Sequence, residues 1–167
     1  MDLYLVRHAE AEPERPDGGD AARALSAAGA ERFRAGVAGL ARLGVRLDRI
    51  EHSPLLRAQE TAELLLPLLD DGGETAVAPE LARASAGALL ARIGDAGGER
   101  VALVGHEPSL SALIATLVLG WELVGAPQGE PFALDKGGVA WLAGDPRAGS
   151  MTLRALWPAK TLRKIGR

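Results

Sequence analysis

Two of the three histidines in the sequence, His8 and His106, lie among the first residues after a short apolar run. Arg7 adjoins His8, and Arg57 lies in the segment SPLLRAQET, near the start of a helical pattern. A neutral imidazole is a competent nucleophile near pH 7. Planar guanidinium groups bind phosphate oxygens through paired hydrogen bonds. If the fold brings these four side chains together, they suit the binding and transfer of a phosphoryl group.

The apolar runs before the two histidines predict strands at residues 3–6 and 101–104, each fit for burial on both faces of a sheet. Ligands of open α/β sheets bind at the carboxyl ends of the parallel strands. Helix N-termini at the same edge add backbone N–H donors for an anion. Either histidine alone is better explained as a hydrogen-bonded loop residue. Because their contexts match, we expect His8 and His106 to converge on one pocket.

The rest of the chain alternates strand and helix patterns. After a loop at residues 11–20, Ser26 is a plausible N-cap for a helix that runs to about Leu43 and stops at Gly44. The pattern further predicts a strand at 49–51, a helix within SPLLRAQETAELLLPLL, a turn at 70–74, a possible strand at 75–78 and a helix over 81–93. A hairpin is predicted in GGVAWLAGDPRAGSMTLRALWP. These elements predict an α/β sandwich with a mostly parallel sheet, in a single domain over residues 1–167.

Composition and charge narrow the class of protein. The 167 residues are 47% hydrophobic and 25% charged, as in a globular domain, and the formal net charge of -3 predicts no nucleic-acid partner. The absence of cysteine excludes disulfides, thiolate metal sites and a cysteine-dependent phosphatase mechanism. The N-terminus does not resemble a signal peptide, and the apolar run at 110–119 is too short to span a bilayer. We therefore expect a cytoplasmic protein with no membrane partner.

The C-terminus is locally basic, with Lys160, Arg163, Lys164 and Arg167 close together. The ordinary interpretation of such a cluster is a solvated tail. Contact with an acidic partner is the alternative.

Three segments, in this order and spacing, resemble the motifs of one known family. RHA (residues 7–9) follows the first strand, SPLLRAQETA (53–62) lies midway, and GHEPSL (105–110) follows a late strand. Together they resemble the histidine phosphatase superfamily, also called the phosphoglycerate mutase-like family, over about residues 3–162. The short chain, LVRHAEAE, PEL and LWPAKTLR are most similar to its small phosphohistidine phosphatase branch.

The resemblance implies a phosphoglycerate mutase-like fold, which is a three-layer α/β/α sandwich with a mostly parallel mixed sheet. His8 matches the nucleophile, which is phosphorylated and then dephosphorylated by water. Arg7 and Arg57 match the arginines that bind the phosphoryl oxygens, and His106 matches the second histidine, which stabilises charge during transfer. The resemblance implies no metal and no other cofactor, and no acidic cluster in the sequence indicates a metal site.

The chain departs from the family at the proton donor. Phosphomonoesterases and mutases of the superfamily carry a general-acid glutamate just after a PEL-like stretch, but here ARASAG fills that place, with Arg83 where the acid is expected. Glu80 is the nearest carboxylate. An alkoxide leaving group needs a proton donor far more than an imidazole does, because the conjugate acid of imidazole has a pKa of about 6.5. The departure therefore favours phosphohistidine over a sugar phosphate as substrate.

These observations leave one leading hypothesis and two alternatives. The leading hypothesis is an enzyme that hydrolyses phosphohistidine on proteins through a covalent phosphohistidine intermediate. The first alternative is a phosphomonoesterase of the same superfamily that acts on a small phosphorylated substrate, with Glu80 or Glu10 as the acid. The second is a non-catalytic module that binds a phosphorylated partner, which the presence of a nucleophile disfavours.

Overall fold

A computed structural model of the chain describes residues 1–14, 19–83, 85–120 and 131–167. Among these residues, six strands form one sheet in the order β3-β2-β4-β1-β5-β6. The strands are β1 (Asp2–Arg7), β2 (Leu47–His52), β3 (Leu69–Val77), β4 (Arg100–Gly105), β5 (Val139–Gly144) and β6 (Met151–Trp157). Strands β1 to β4 are parallel, and β5 is antiparallel to both of its neighbours. The sheet is therefore mixed and mostly parallel, as predicted.

Helices cover both faces of this sheet. They are α1 (Ala27–Arg42), α2 (Leu56–Leu65), α3 (Glu80–Arg83), α4 (Ala86–Ala96), α5 (Ser109–Leu119) and α6 (Ala159–Ile165). Strand β1 alternates between the two layers, with Tyr4 and Val6 in the core against α1, α2 and α6. Leu3 and Leu5 lie in the opposite core, against α3, α4 and α5. The three-layer α/β/α sandwich is thereby confirmed.

Several predicted boundaries agree closely with the structure. Helix α1 begins where Ser26 caps it, because the Ser26 hydroxyl accepts a hydrogen bond from the Gly29 amide at 3.0 Å. It ends just before Gly44, whose positive φ of 80° suits glycine. Strands β5 and β6 form the predicted hairpin. None of the described helices is both long and apolar enough to cross a membrane.

Two predicted elements are wrong, and one lies partly outside the described residues. The predicted turn at 70–74 is part of strand β3. The register of β3 against β2 shifts between Leu47 and Arg49, which indicates a β-bulge in this segment. Gly72 adopts the positive φ of 82° within it. The predicted helix over 81–93 is two helices, because Ser85 caps a new helix, α4, through the Ala88 amide. Of the predicted loop at 11–20, residues 15–18 lie outside the described part of the chain.

The basic C-terminus is a helix, α6, and not a free tail, although the side chains of Lys160, Lys164 and Arg167 are exposed as expected. Leu162 of α6 is fully buried, and the backbones of α6 and α1 approach closely. A Cβ at Gly39 would lie 2.2 Å from the Leu162 carbonyl oxygen, and one at Gly166 would lie 2.0 Å from that of Ala35. The two glycines therefore allow the close approach of the α6 and α1 backbones.

A buried carboxylate links the sheet to α4. Glu51 of β2 is fully buried and accepts hydrogen bonds from Arg49 at 2.7 Å and from Arg92 at 3.0 Å. Replacing Glu51 with alanine should lower the free energy of unfolding by about 3 kcal/mol, because it leaves guanidinium charge without its buried partner. Glu74→Ala is the matched control, since Glu74 also bonds Arg49 but is 72% exposed. It should change the free energy of unfolding by less than about 1 kcal/mol. Denaturant titration measures both, and equal effects would contradict the prediction.

Candidate active site

The two histidines that the sequence singles out lie side by side at one edge of the sheet. Strands β1 and β4 are parallel neighbours with Arg7 opposite Gly105, so His8 and His106 leave the sheet together. The His8 amide donates to the Gly105 carbonyl at 3.1 Å. The ring centroids are 5.0 Å apart and both residues are 8% exposed. The predicted convergence of the two histidines is confirmed.

The backbone around His8 fixes which of its ring nitrogens carries the proton. Nδ1 lies 2.7 Å from the Ala9 carbonyl oxygen, which can only accept, so Nδ1 holds the proton of the neutral ring. Nε2 is therefore left with a lone pair. The loop itself is anchored, because the Ala9 amide donates to the Thr61 hydroxyl at 3.0 Å and the Gly137 amide donates to the His8 carbonyl at 3.1 Å. Nε2 of His8 is thus a ring nitrogen with a free lone pair, held in a fixed position.

His106 is held by a serine at the end of a neighbouring strand. Ser53 follows β2, is fully buried, and places its hydroxyl oxygen 2.9 Å from Nε2 of His106. The same oxygen accepts the Leu55 amide at 3.3 Å, which leaves the hydroxyl proton available for the ring. When Ser53 donates to Nε2, the proton of the neutral ring lies on Nδ1. Nδ1 is buried and has no partner among the described residues, so it can donate to an incoming oxygen.

Arg7 presents a second buried donor at the same edge. Its Nη1 donates to the Leu134 carbonyl at 2.6 Å, while its Nε is buried without a partner among the described residues. Leu134 is itself fixed, because its amide donates to the Glu107 carboxylate at 2.7 Å. The orientation of the Arg7 side chain is therefore set before any ligand arrives. An oxyanion bound here would receive the Nε–H.

Arg57, from the first turn of α2, is buried and already bonded to a carboxylate. Its terminal nitrogens donate to the Asp20 carboxylate at 2.9 Å and to the Asp20 carbonyl at 2.8 Å. Burial raises the pKa of Asp20, but hydrogen bonds and charge from Arg57 and Arg23 outweigh it, so the pKa is lowered overall. Thr61 connects Arg57 to the loop that carries His8, because its hydroxyl donates to the Arg57 carbonyl at 2.6 Å while accepting the Ala9 amide.

Burial and positive charge keep both histidines neutral. The pKa of His8 is lowered to about 4, mainly by burial and further by the charges of Arg57, Arg7 and Lys136. The hydrogen bond to the Ala9 carbonyl opposes this shift. The pKa of His106 falls to about 3, chiefly through burial and then through the nearby His8 and Arg57. Neutral imidazole is the nucleophilic form, so His8 is competent throughout the neutral pH range.

We expect the rings of His8 and His106 to titrate well below the usual value for histidine. Ring resonances followed by NMR should show midpoints near pH 4 and 3, because protonation places a third or fourth positive charge beside the arginines. Saturation with inorganic phosphate should raise both midpoints, since a bound anion stabilises the imidazolium. Circular dichroism at each pH shows that the fold persists. Midpoints near 6.5 without phosphate would contradict the predicted electrostatics.

The two carboxylates named as possible general acids, Glu10 and Glu80, have different surroundings. Glu10 forms an ion pair with Arg32 of α1. Glu80 begins α3 and has one carboxylate oxygen that is buried without a partner among the described residues. Of the described residues, neither glutamate is among the charged groups that shift the pKa of His8 or His106, whereas Asp20 does act on His106. Arg83, where the family carries its acid, is exposed at the end of α3.

Comparisons of the sequence with known proteins identify the family. Residues 3–89 match the model of the histidine phosphatase superfamily (branch 1). An uncharacterized protein of Picosynechococcus sp. (strain ATCC 27264 / PCC 7002 / PR-6) is 36% identical over 124 residues, which cover 72% of this chain and 74% of that protein. The chain belongs to the histidine phosphatase superfamily.

Solved structures share the whole fold. The protein histidine phosphatase SixA complexed with tungstate matches with a TM-score of 0.80 at 24% identity, over 97% of this chain and 99% of that one. A putative phosphohistidine phosphatase SixA from Agrobacterium tumefaciens matches with a TM-score of 0.76 at 25% identity, over 93% and 96%. A putative alpha-ribazole-5'-P phosphatase from Escherichia coli matches with a TM-score of 0.72 at 24% identity, over 95% and 98%.

Sequence reasoning assigned no role to three residues that the structure places at the site. Ser53 and Thr61 both lie in the quoted segment SPLLRAQETA, where Ser53 bonds His106 and Thr61 bonds the loop that carries His8. Their position within this motif was the indication in the sequence that they lie at the site. Asp20 lies in a segment interpreted as a loop, and only the fold shows that it reaches Arg57.

Proposed function

We propose that the protein hydrolyses phosphohistidine on other proteins through a covalent phosphohistidine intermediate on His8, without a metal ion. The observation that carries the proposal is the lone pair of Nε2 of His8, on a ring 5.0 Å from that of His106 and within electrostatic reach of Arg7. Nδ1 of His106 and Nε of Arg7 are buried donors with no partner among the described residues. This arrangement combines a positioned nucleophile with donors for a phosphoryl oxygen. Membership of the histidine phosphatase superfamily supports a phosphatase.

The reaction proceeds in two transfers of one phosphoryl group. In the first, Nε2 of His8 attacks phosphorus and the substrate P–N bond breaks. The departing nitrogen keeps the electron pair and leaves as neutral imidazole, because the other nitrogen of the substrate ring carries a proton. In the second, water attacks phosphorus, the bond to Nε2 breaks, and inorganic phosphate leaves with the oxygen of that water. Arg7, Arg57 and His106 stabilise the equatorial oxygens in both transfers, where positioning and charge account for most of the catalysis.

The charges around the histidines support phosphohistidine as the substrate. Among the described residues, the charged groups that act on His8 are all cations, and no general-acid role falls to Glu10, whose carboxylate bonds Arg32. An imidazole leaving group tolerates this, since its conjugate acid has a pKa of about 6.5, whereas an alkoxide does not. The site therefore suits cleavage of a P–N bond better than cleavage of a phosphate ester.

One observation favours a second candidate, the phosphomonoesterase that acts on a small molecule. One carboxylate oxygen of Glu80 is buried without a partner among the described residues, and a buried carboxyl group is a candidate for a general acid. One structural neighbour is described as a putative alpha-ribazole-5'-P phosphatase. Glu80→Gln separates the two candidates, because it removes this acid without changing the shape of the side chain.

The test is phosphate release from a phosphohistidine-bearing protein and from a panel of small phosphate monoesters, with the native enzyme, His8→Ala and Glu80→Gln. The proposal expects faster release from phosphohistidine, loss in His8→Ala and little change in Glu80→Gln. Faster release from a monoester that Glu80→Gln abolishes would establish the second candidate instead. No release from any substrate would indicate a module that only binds phosphorylated partners.

Removing the partner of His106 should slow turnover without removing the nucleophile. Ser53→Ala takes away the hydroxyl that orients Nε2 of His106, and we expect kcat to fall about 10- to 100-fold with a smaller change in KM. Ser53→Thr, which keeps the hydroxyl, should recover part of the loss. Ser111→Ala is the matched control, because Ser111 is buried in α5 but bonds the Pro108 carbonyl instead. Equal losses in Ser53→Ala and Ser111→Ala would indicate a structural effect only.

A further inference from the structure

A cleft of about 80 Å³ opens beside the loop that carries His8. Its lining residues include Ala9, directly after the nucleophile, and Gly137, whose amide bonds the His8 carbonyl. Helices α1 and α6 form the opposite wall. The cleft is thus at the carboxyl edge of β1, the edge at which His8 leaves the sheet.

Three cations from distant parts of the chain meet at this cleft: Arg32 of α1, Lys136 before β5, and Arg163 of α6. The only carboxylate among the described lining residues is Glu10, which is already paired with Arg32. Lys136 and Arg163 make no ion pair with any described residue. Two positive charges therefore remain uncompensated in a concave site.

The cleft is electrically coupled to the nucleophile. The charge of Lys136 contributes to lowering the pKa of His8, which places this cation within electrostatic reach of the reacting ring. The rim is cationic, whereas Phe33 and Ala159 supply an apolar floor. A group that fits has a short hydrocarbon stem and a negative end, as the side chains of glutamate and aspartate have.

We infer that this cleft binds an acidic side chain of the phosphorylated protein while the phosphohistidine occupies the neighbouring pocket. The inference rests on the proposed function and adds to it a preference for phosphohistidine in acidic surroundings. It also assigns a role to one basic residue of the C-terminus, Arg163. Of the four in the sequence cluster, Arg163 lines the cleft, because α6 is packed against α1.

The test uses two peptides that each carry one phosphohistidine and differ only in the flanking residues, which are Glu in one and Gln in the other. The native enzyme should prefer the acidic peptide about tenfold in kcat/KM at low salt, mainly through KM, and less as salt increases. Arg163→Ala and Lys136→Ala should each reduce this ratio about threefold, and Arg163→Glu should reverse it. Lys164→Ala, an exposed cation of α6 outside the cleft, should keep the native ratio.

The outcomes separate this inference from the proposed function. Equal hydrolysis of both peptides by the native enzyme would overturn the acidic subsite but not the phosphatase activity. Equal effects of Arg163→Ala and Lys164→Ala on the preference for the acidic peptide would do the same. A preference confined to small phosphates that carry a carboxylate would also overturn it. If neither peptide is hydrolysed, the proposed function fails. In that case the acidic subsite is tested by fluorescence anisotropy of the unphosphorylated peptides. The native protein should bind the acidic peptide more tightly than the neutral one, and Arg163→Ala should lose this difference.

Discussion

Replacing His8 with alanine is expected to lower phosphate release from phosphohistidine by at least about 1,000-fold, the largest effect of any single substitution in the chain. The variant loses the nitrogen whose lone pair attacks phosphorus, and Ala9 offers no substitute. Hydrogen bonds from Arg7 and His106 would remain, so substrate binding should weaken much less than turnover. Steady-state kcat and KM, measured by phosphate release, give both quantities.

His52→Ala is the matched control for His8. His52 is also a histidine at the carboxyl end of a strand, but its Nδ1 bonds the Ser53 carbonyl and it is partly exposed. Its removal should change turnover by less than about threefold, provided that thermal unfolding shows both variants to be folded. Residual turnover of His8→Ala within tenfold of the native enzyme would mean that another group is the nucleophile.

Replacing Arg57 with alanine should produce the second largest loss, about 100- to 1,000-fold in kcat/KM. Arg57 is 7% exposed and its guanidinium lies within electrostatic reach of both histidines, where charge on the phosphoryl oxygens develops. Because Asp20 already bonds two of its terminal nitrogens, the orientation of the group is fixed, and Arg57→Lys should not restore activity.

Inhibition by inorganic phosphate provides an independent readout for Arg57. Its inhibition constant should rise at least about tenfold in Arg57→Ala, since the product has lost a charged donor. Arg34→Ala, an exposed arginine of α1, serves as the control and should match the native enzyme. Unchanged phosphate inhibition in Arg57→Ala would show that this arginine only supports the fold.

The core of the site was predictable because it depends on local patterns. Two apolar runs, each followed by a histidine, predict parallel strand ends, and the sheet indeed aligns Arg7 with Gly105. The contact between Ser53 and His106 was not predictable, since a serine after a strand is common and its partner is 53 residues away. The same holds for Asp20 and Arg57, which only the tertiary fold brings together.

The elements that were predicted wrongly have local physical explanations. Residues 70–74 contain acids and glycines typical of a turn, but an edge strand tolerates them because it can bulge without breaking the sheet. The basic C-terminus has the composition of a solvated tail, and the single buried Leu162 and the glycines that admit α6 carry no strong signal in the sequence. The packing of α6 against α1 brings Arg163 to the cationic cleft, whose three cations come from three separate segments.

The most direct test of the account is to find the phosphoryl group on the enzyme during turnover. The native protein is mixed with a phosphohistidine-bearing protein, quenched in alkali within milliseconds to seconds, and digested for tandem mass spectrometry. The account predicts one phosphoryl group on His8, attached at Nε2, that appears before inorganic phosphate and is absent in His8→Ala. A phosphoryl group on His106 or another residue, or full turnover with no modified enzyme, would contradict it.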